Sequence, residues 1–160
     1  MGRICRIALG AMAVIAPAAV HAQDIGEFVG CYAVRSGDWS DPARHARISG
    51  ASVPDTLRLR AEQSESVFGQ GRLALDPLGP FEGSRGGSAF WNVEGGSVQL
   101  TWTTGSSGLV VRAERRGDQL VGAVESFWDD RDGVPAPRAS FEATKIECVT
   151  DERGLGDSPA

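Results

Sequence analysis

The chain has 160 residues and a formal net charge of −5, with 21 acidic against 16 basic side chains. This length is sufficient for one domain with a full hydrophobic core. The acidic balance excludes a nucleic-acid partner, because no basic cluster offsets the repulsion of phosphate backbones.

The first 22 residues have the pattern of a secretory signal peptide. Arg3 and Arg6 form a basic start, and Ile7–Val20 is an uncharged, mostly apolar stretch. Val20-His21-Ala22 then places small residues at the positions that a signal peptidase reads. The apolar stretch is short for a membrane span, although a retained N-terminal anchor is the alternative. We predict cleavage after Ala22, export to the periplasm or beyond, and no membrane span in the mature chain.

Cleavage there leaves about 138 residues and a net charge of about −7. Residues 23–150 are predicted to form one domain, and residues 151–160, rich in Gly, Asp and Ser, a disordered tail.

The mature chain is predicted to begin with a strand over Gln23–Val34, followed by a polar loop over Arg35–Pro54. A short helical turn over Pro42–Arg47 is expected in that loop, because Asp41 can cap it and proline suits the first helical position. Trp39 is the one large apolar residue in the polar part of the loop. It is expected either to cover an open end of the fold or to contact a ligand.

The sequence pattern of the second predicted strand is regular, and that of the third is weaker. Asp55–Glu62 alternates apolar and charged residues and predicts a second strand. Val67–Asp76 predicts a weaker third strand, which Gly69 and Gly71 interrupt. Pro77–Gly87 then forms an irregular, glycine-rich connection.

The region from Ser88 to Trp128 predicts a β-meander of four strands with one apolar face. Apolar or small residues recur with a period of two. They are Ala89, Trp91, Val93, Val98, Leu100, Trp102, Leu109, Val111, Ala113, Leu120, Gly122 and Val124.

Two tight turns set the expected register of this meander. A Gly95-Gly96 turn places Val93 opposite Val98, Trp91 opposite Leu100 and Ala89 opposite Trp102. A turn within Arg115–Asp118 is predicted to place Ala113 opposite Leu120, Val111 opposite Gly122 and Leu109 opposite Val124.

An acidic loop over Asp129–Pro137 leads to a final strand over Pro137–Val149. Phe141 and Ala143 share one parity in that strand, whereas Ile146 and Cys148 share the other. A β-bulge near Thr144-Lys145 is therefore predicted.

The mature chain keeps two cysteines, Cys31 near its start and Cys148 near its end. An even count in an exported protein favours a disulfide, and two free thiols with a metal or redox role are the alternative. The bond requires the first and last strands to be neighbours. We predict an all-β fold: a single antiparallel up-and-down β-barrel of about eight strands, closed by this disulfide.

In layout the chain resembles the lipocalin and calycin group of secreted barrels. Gly37-Asp38-Trp39 matches the Gly-x-Trp letters of that group, but it follows the first strand instead of opening it. The segments from Cys31-Tyr32 to Trp39 and from Gly117 to Gly122, with a final strand ending in Cys148, are also similar to secreted bacterial barrel proteins of unassigned function. The resemblance implies a barrel and no particular activity.

The barrel lumen is the first candidate site. Its predicted lining is Trp91, Leu100, Trp102, Val111 and Leu120, with Trp39 near an end. Aromatic and aliphatic lining is typical of a pocket for a small apolar molecule, and the alternative is that these side chains fill the interior.

Other chemistry has less support. Ser40, Asp41 and His45 have the residue types of a hydrolase triad, without a nucleophile elbow around the serine. The acidic run from Trp128 to Gly133 fails the calcium-loop pattern at both ends. No cofactor or metal site is predicted.

We therefore expect an exported, non-enzymatic barrel that holds a small hydrophobic ligand in its lumen. The alternative is a structural or interaction module of the cell envelope, with a filled barrel and contacts through the loops 35–54 and 77–87. A hydrolase built on Ser40, Asp41 and His45 is a distant third. The sequence does not identify a ligand, a protein partner, an oligomeric state or a physiological process.

Overall fold

The structure, a computed structural model, describes residues 22–49, 51–77, 87–129 and 133–148. Residues 1–21 of the predicted signal peptide, which was predicted to end at Ala22, lie outside these ranges, as do the predicted tail and the centre of the acidic loop.

Eight antiparallel strands form a closed barrel in which each strand pairs with the next and the last pairs with the first. The strands are β1 (Gly30–Ser36), β2 (Thr56–Gln63), β3 (Leu73–Pro77), β4 (Ser88–Glu94), β5 (Ser97–Thr103), β6 (Ser107–Arg116), β7 (Gln119–Trp128) and β8 (Arg138–Ile146). Two short helices, α1 (Ala22–Phe28) and α2 (Pro42–Ile48), complete the described secondary structure with a 3-10 turn at Val67–Gly69. The predicted all-β barrel is confirmed.

The seam between β1 and β8 is closed by hydrogen-bonded pairing and by a covalent bond. Six residue pairs join the strands, from Cys31 opposite Ile146 to Ser36 opposite Phe141. The predicted disulfide joins Cys31 to Cys148, whose Cα atoms are 5.2 Å apart. Cys148 lies two residues beyond the end of β8.

The predicted β-bulge near Thr144-Lys145 is wrong, because Cys148 lies outside the strand and no bulge is needed to bring it to Cys31. Pairing between β1 and β8 is continuous through this region, and Ile146 points outward with 41 % of its surface exposed. Because Cys148 follows the strand, its sulfur reaches Cys31 without sharing the parity of Phe141.

The N-terminal segment also differs from the prediction. Its first seven described residues form α1, and β1 begins only at Gly30. Phe28 is buried and Ile25 packs on the core, a spacing of three that suits a helix. The Tyr32 hydroxyl donates a hydrogen bond to the Phe28 carbonyl oxygen over 2.7 Å, which holds the helix against one end of the barrel.

The third strand is shorter than predicted. Val67–Gly69 forms a 3-10 turn, and β3 covers only Leu73–Pro77. Gly71 has a φ of 71°, a conformation that ends extended structure and that glycine accepts without strain.

The meander has the predicted strands. The register of β4 and β5 is the predicted one, with Val93 opposite Val98 and Trp91 opposite Leu100. Between β6 and β7 the prediction is wrong by two residues, because the turn residues are Gly117 and Asp118. A shift of two preserves the parity, so the same side chains still face inward.

In that second hairpin the observed pairs are Ala113 with Gly122, Val111 with Val124 and Leu109 with Ser126. The inward face of β7 therefore runs on past Val124 to Ser126.

The two ends of the barrel carry different structures. Helix α1 and the turns at 95–96 and 117–118 lie at one end, where Arg115 Nη1 is 3.0 Å from Glu27 Oε2. Helix α2, the last residues of β7 and the segment 133–137 lie at the other, which we call the α2 end.

Candidate functional site

The predicted lumen residues lie inside the barrel and form its core. Trp91, Leu100 and Val111 have no exposed surface, and Leu120 and Trp102 are 1 % and 3 % exposed. A side chain without accessible surface contacts no cavity that admits a water molecule, so the interior around these residues is filled. Their ligand-binding role stays a prediction, and it would require the packed side chains to move apart.

Trp39 lies at the α2 end, where it is half-buried and packs against the core. Its indole ring stacks on the imidazole of His45, with ring centroids 3.7 Å apart and an interplanar angle of 9°. His45 is buried, and burial lowers its pKa from the usual 6.5, while a hydrogen bond with the Ala51 backbone partly opposes this shift. This stack covers part of the barrel end.

Ser40, Asp41 and His45 are close in sequence but are not joined as a hydrogen-bonded triad. Asp41 caps α2, where its Oδ1 accepts a hydrogen bond from the Arg44 backbone amide over 2.9 Å. Ser40 Oγ accepts one from the Arg138 amide over 3.0 Å. His45 Nδ1 has no hydrogen-bond partner among the described residues. The serine and aspartate thus have structural roles.

A cavity of about 210 Å³, which we call the α2 pocket, lies beside this helix. Three segments line it: one face of α2, the last residues of β7 and the segment before β8. The lining residues are Arg44, Arg47, Ile48, Ser126, Phe127, Trp128, Val134 and Ala136.

Helix α2 is hydrogen-bonded to one wall of the α2 pocket, the segment that precedes β8. Arg44 and Arg47 are three residues apart and therefore lie on the same side of α2. Arg44 Nη1 donates to the Pro135 carbonyl oxygen over 3.2 Å, and Nη2 to that of Val134 over 3.4 Å. These bonds tie α2 to the segment that leads into β8.

Ser126 supplies the most informative group of the pocket. It faces inward on β7, two residues after Val124, and has no exposed surface. Its Oγ has no hydrogen-bond partner among the described residues. Buried hydroxyl groups are normally hydrogen-bonded, so the unpaired Ser126 hydroxyl is unusual. Because it has no accessible surface, it lies behind the pocket wall, and a ligand reaches it only if that wall moves.

Trp128 forms the rim of the α2 pocket. It is the last residue of β7, shares the parity of Ser126 and is 52 % exposed. An exposed indole beside a cavity offers a flat apolar face and one hydrogen-bond donor.

The sequence interpretation missed Arg47, Ser126 and Trp128 as site residues. The available signal was the parity of β7, because the inward alternation continues from Val124 through Ser126 to Trp128. Arg47 had no such signal, since its position depends on where α2 packs.

A larger hollow of about 600 Å³ lies at the opposite end, between α1 and the two hairpin turns. Its charged lining residues are Glu27, Glu114 and Arg115, and the Arg115–Glu27 ion pair already partners two of them. This hollow has no unpaired buried polar atom in its described lining, so we regard the α2 pocket as the candidate site.

Comparison with protein-family models, curated proteins and solved structures found no match to this chain. Within the described ranges, no helix has the length and apolar character needed to cross a membrane. The fold and site define a disulfide-closed, eight-stranded antiparallel barrel with a filled interior and a pocket at one end.

Proposed function

We propose that this protein is an exported, non-enzymatic, lipocalin-like binding protein that holds a small ligand in the α2 pocket. The barrel is a solid scaffold in this proposal, and recognition takes place at its end instead of in its lumen. The observation that carries the proposal is the α2 pocket itself, a cavity of about 210 Å³ in which apolar side chains and two guanidinium groups meet at one end of a filled barrel.

Energetics supports a ligand at this position. A buried hydroxyl without a partner costs about 1–3 kcal/mol, and a ligand whose entry moves the pocket wall would remove that cost by offering a polar atom to the Ser126 hydroxyl. Ile48, Val134 and Trp128 supply apolar surface around it, the usual combination of a small-molecule site. At about 30 Å³ per water the cavity equals about seven water molecules, which limits the ligand to a small compound.

The disulfide supports the export part of the proposal. Bonds such as Cys31–Cys148 persist in oxidising compartments and are rare in the cytoplasm. The basic and apolar N-terminal pattern agrees with that location.

A second candidate, an interaction module of the cell envelope, is favoured by the filled interior. Val67 and Phe68 on the 3-10 turn are 80 % and 50 % exposed, which is typical of residues that contact a partner.

Native mass spectrometry of the mature protein, purified from its own host with the disulfide intact, tests the proposal. Ala136→Trp places an indole in the pocket wall, and Ala46→Trp adds the same group to an exposed position of α2 outside the lining. We expect the unmodified protein and the Ala46→Trp control to retain a small molecule that Ala136→Trp lacks.

Circular dichroism and thermal unfolding establish that each variant is folded. A small molecule retained equally by Ala136→Trp would contradict the α2 pocket as its site. If the unmodified protein retains no small molecule, the result favours the second hypothesis, an interaction module of the cell envelope.

A further inference from the structure

We propose that the ligand of the α2 pocket is a small organic carboxylate with an apolar or aromatic body. This inference rests on the proposed function and adds the chemical class of the ligand, with Arg47 as the residue that selects its charge.

The charge of the pocket lining is one-sided. Among the described lining residues, the ionisable side chains are the guanidinium groups of Arg44 and Arg47, and none is acidic. The whole chain is acidic, with a net charge of −5. The net negative charge of the chain repels anions, so an anion is attracted only close to the two guanidinium groups, where their positive charge outweighs that repulsion. The anionic group of the ligand is therefore placed beside Arg44 and Arg47.

The two arginines have different tasks. Arg44 is committed to the Val134 and Pro135 carbonyl oxygens and holds the pocket wall in place. Arg47 is exposed and makes no hydrogen bond or ion pair with the described residues. Its planar fork of N–H donors matches the two oxygens of a carboxylate, a bidentate geometry that an ammonium group does not offer.

The remaining lining defines the body of the ligand. Ile48, Val134 and the indole of Trp128 present apolar surface, and the last of these accepts an aromatic ring in an offset or edge-on arrangement. With 210 Å³ available, a long acyl chain or a nucleotide exceeds the space, whereas a one-ring acid fits.

The test uses a pair of probes that differ in charge and share one body. Phenylacetate and phenylacetamide are titrated into the ¹⁵N-labelled mature protein with its disulfide intact, and amide and indole shifts are followed by NMR. We expect phenylacetate to bind about tenfold more tightly than the amide, as a charge-assisted hydrogen bond to an exposed arginine predicts. The shifts should centre on Ile48, Ser126 and the indole N–H of Trp128.

Matched variants assign the preference to one side chain. Arg47→Gln should abolish the preference for the acid, and Arg47→Lys should retain part of it. Arg116→Gln makes the same charge change at the opposite end of the barrel, on the exposed last residue of β6, and should retain all of it. The ¹⁵N spectra show directly whether each variant is folded.

The outcomes separate this inference from the proposed function. Equal binding of acid and amide, with shifts in the α2 pocket, would overturn the carboxylate inference and leave the pocket as a small-molecule site. A preference that survives Arg47→Gln would overturn the role of Arg47. Binding of neither probe would overturn the one-ring carboxylate class, while the pocket itself is judged by the Ala136→Trp experiment.

Discussion

Replacing Ser126 with alanine should make the unliganded protein more stable. The side chain has no exposed surface, and its Oγ has no hydrogen-bond partner among the described residues. Removing the oxygen relieves a desolvation cost of about 1–3 kcal/mol. The void left by one oxygen atom costs less than about 1 kcal/mol at 24 cal/mol per Å³. We expect a net gain of about 1–2 kcal/mol in the free energy of unfolding.

Thr103→Val is the matched control, because Thr103 is also buried but its hydroxyl is fully used. Its Oγ1 donates to the Ser107 carbonyl oxygen over 3.2 Å and accepts from the Gly105 amide over 2.8 Å. Valine keeps the shape and removes both bonds, so we expect a loss of about 1–3 kcal/mol. The two hydroxyl deletions should therefore have effects of opposite sign.

The assay is urea unfolding of the mature, disulfide-intact protein, followed by tryptophan fluorescence. With a slope near 2 kcal/mol per molar urea, the Ser126→Ala midpoint should rise by roughly 0.5–1 M at an unchanged slope. A midpoint that falls would refute the reasoning, because it would show that Oγ is satisfied in the free protein. The case for a ligand partner at Ser126 would then lose its basis. A gain in stability joined to weaker ligand binding is the pattern of a residue kept for function.

Three further predictions test the fold around the site. Cys31 and Cys148 are 117 residues apart, and their disulfide restricts the entropy of the unfolded chain by closing that loop. Replacing both cysteines with alanine should therefore lower the free energy of chemical unfolding by about 5 kcal/mol. A loss below about 2 kcal/mol would contradict this entropic explanation. Gly122→Ala should lower stability by about 1–3 kcal/mol, because the added Cβ would meet the backbone of β6. Gly26→Ala is the control, because a Cβ there has open space in α1, and it should raise stability by up to about 1 kcal/mol. Equal shifts of the two melting temperatures would argue against the close approach of Gly122 to β6. The pKa of His45 lies below 6.5 in the folded protein, so stability should be complete above about pH 7 and decline as the pH falls through the folded pKa. An NMR titration of its ring that gives a midpoint at or above 6.5 would show that burial does not govern it.

The barrel itself could be predicted because its signals are local. Period-two alternation in β4 to β7 identifies the inward face of each strand without knowledge of the neighbours. The Gly95-Gly96 turn fixes one register, since glycine takes the positive φ that a tight hairpin requires, and both glycines have φ values of 60° and 82°. The two terminal cysteines add closure, because a disulfide between the first and last strands is compatible only with neighbouring strands.

The errors fall where local signals allow two solutions. Turns at residues 116–117 and 117–118 bury the same side chains, so parity did not distinguish the registers of β6 and β7. Ile25 and Phe28 suit either a helix or the irregular start of a strand, and only contact with the barrel end selects the helix. The predicted last strand included Cys148, although β8 ends at Ile146. The alternation of apolar residues does not show at which residue this strand ends.

The amino-acid order alone determined which faces are apolar, that the chain closes on itself, and that Asp41 and Pro42 begin a helix. Tertiary packing decided where that helix docks. Arg47 and Ser126 are far apart in the sequence and carry no shared motif, yet α2 and β7 bring both to one cavity. Whether the lumen is open or filled was also a tertiary matter, because the volume left inside a barrel depends on how all its side chains interlock.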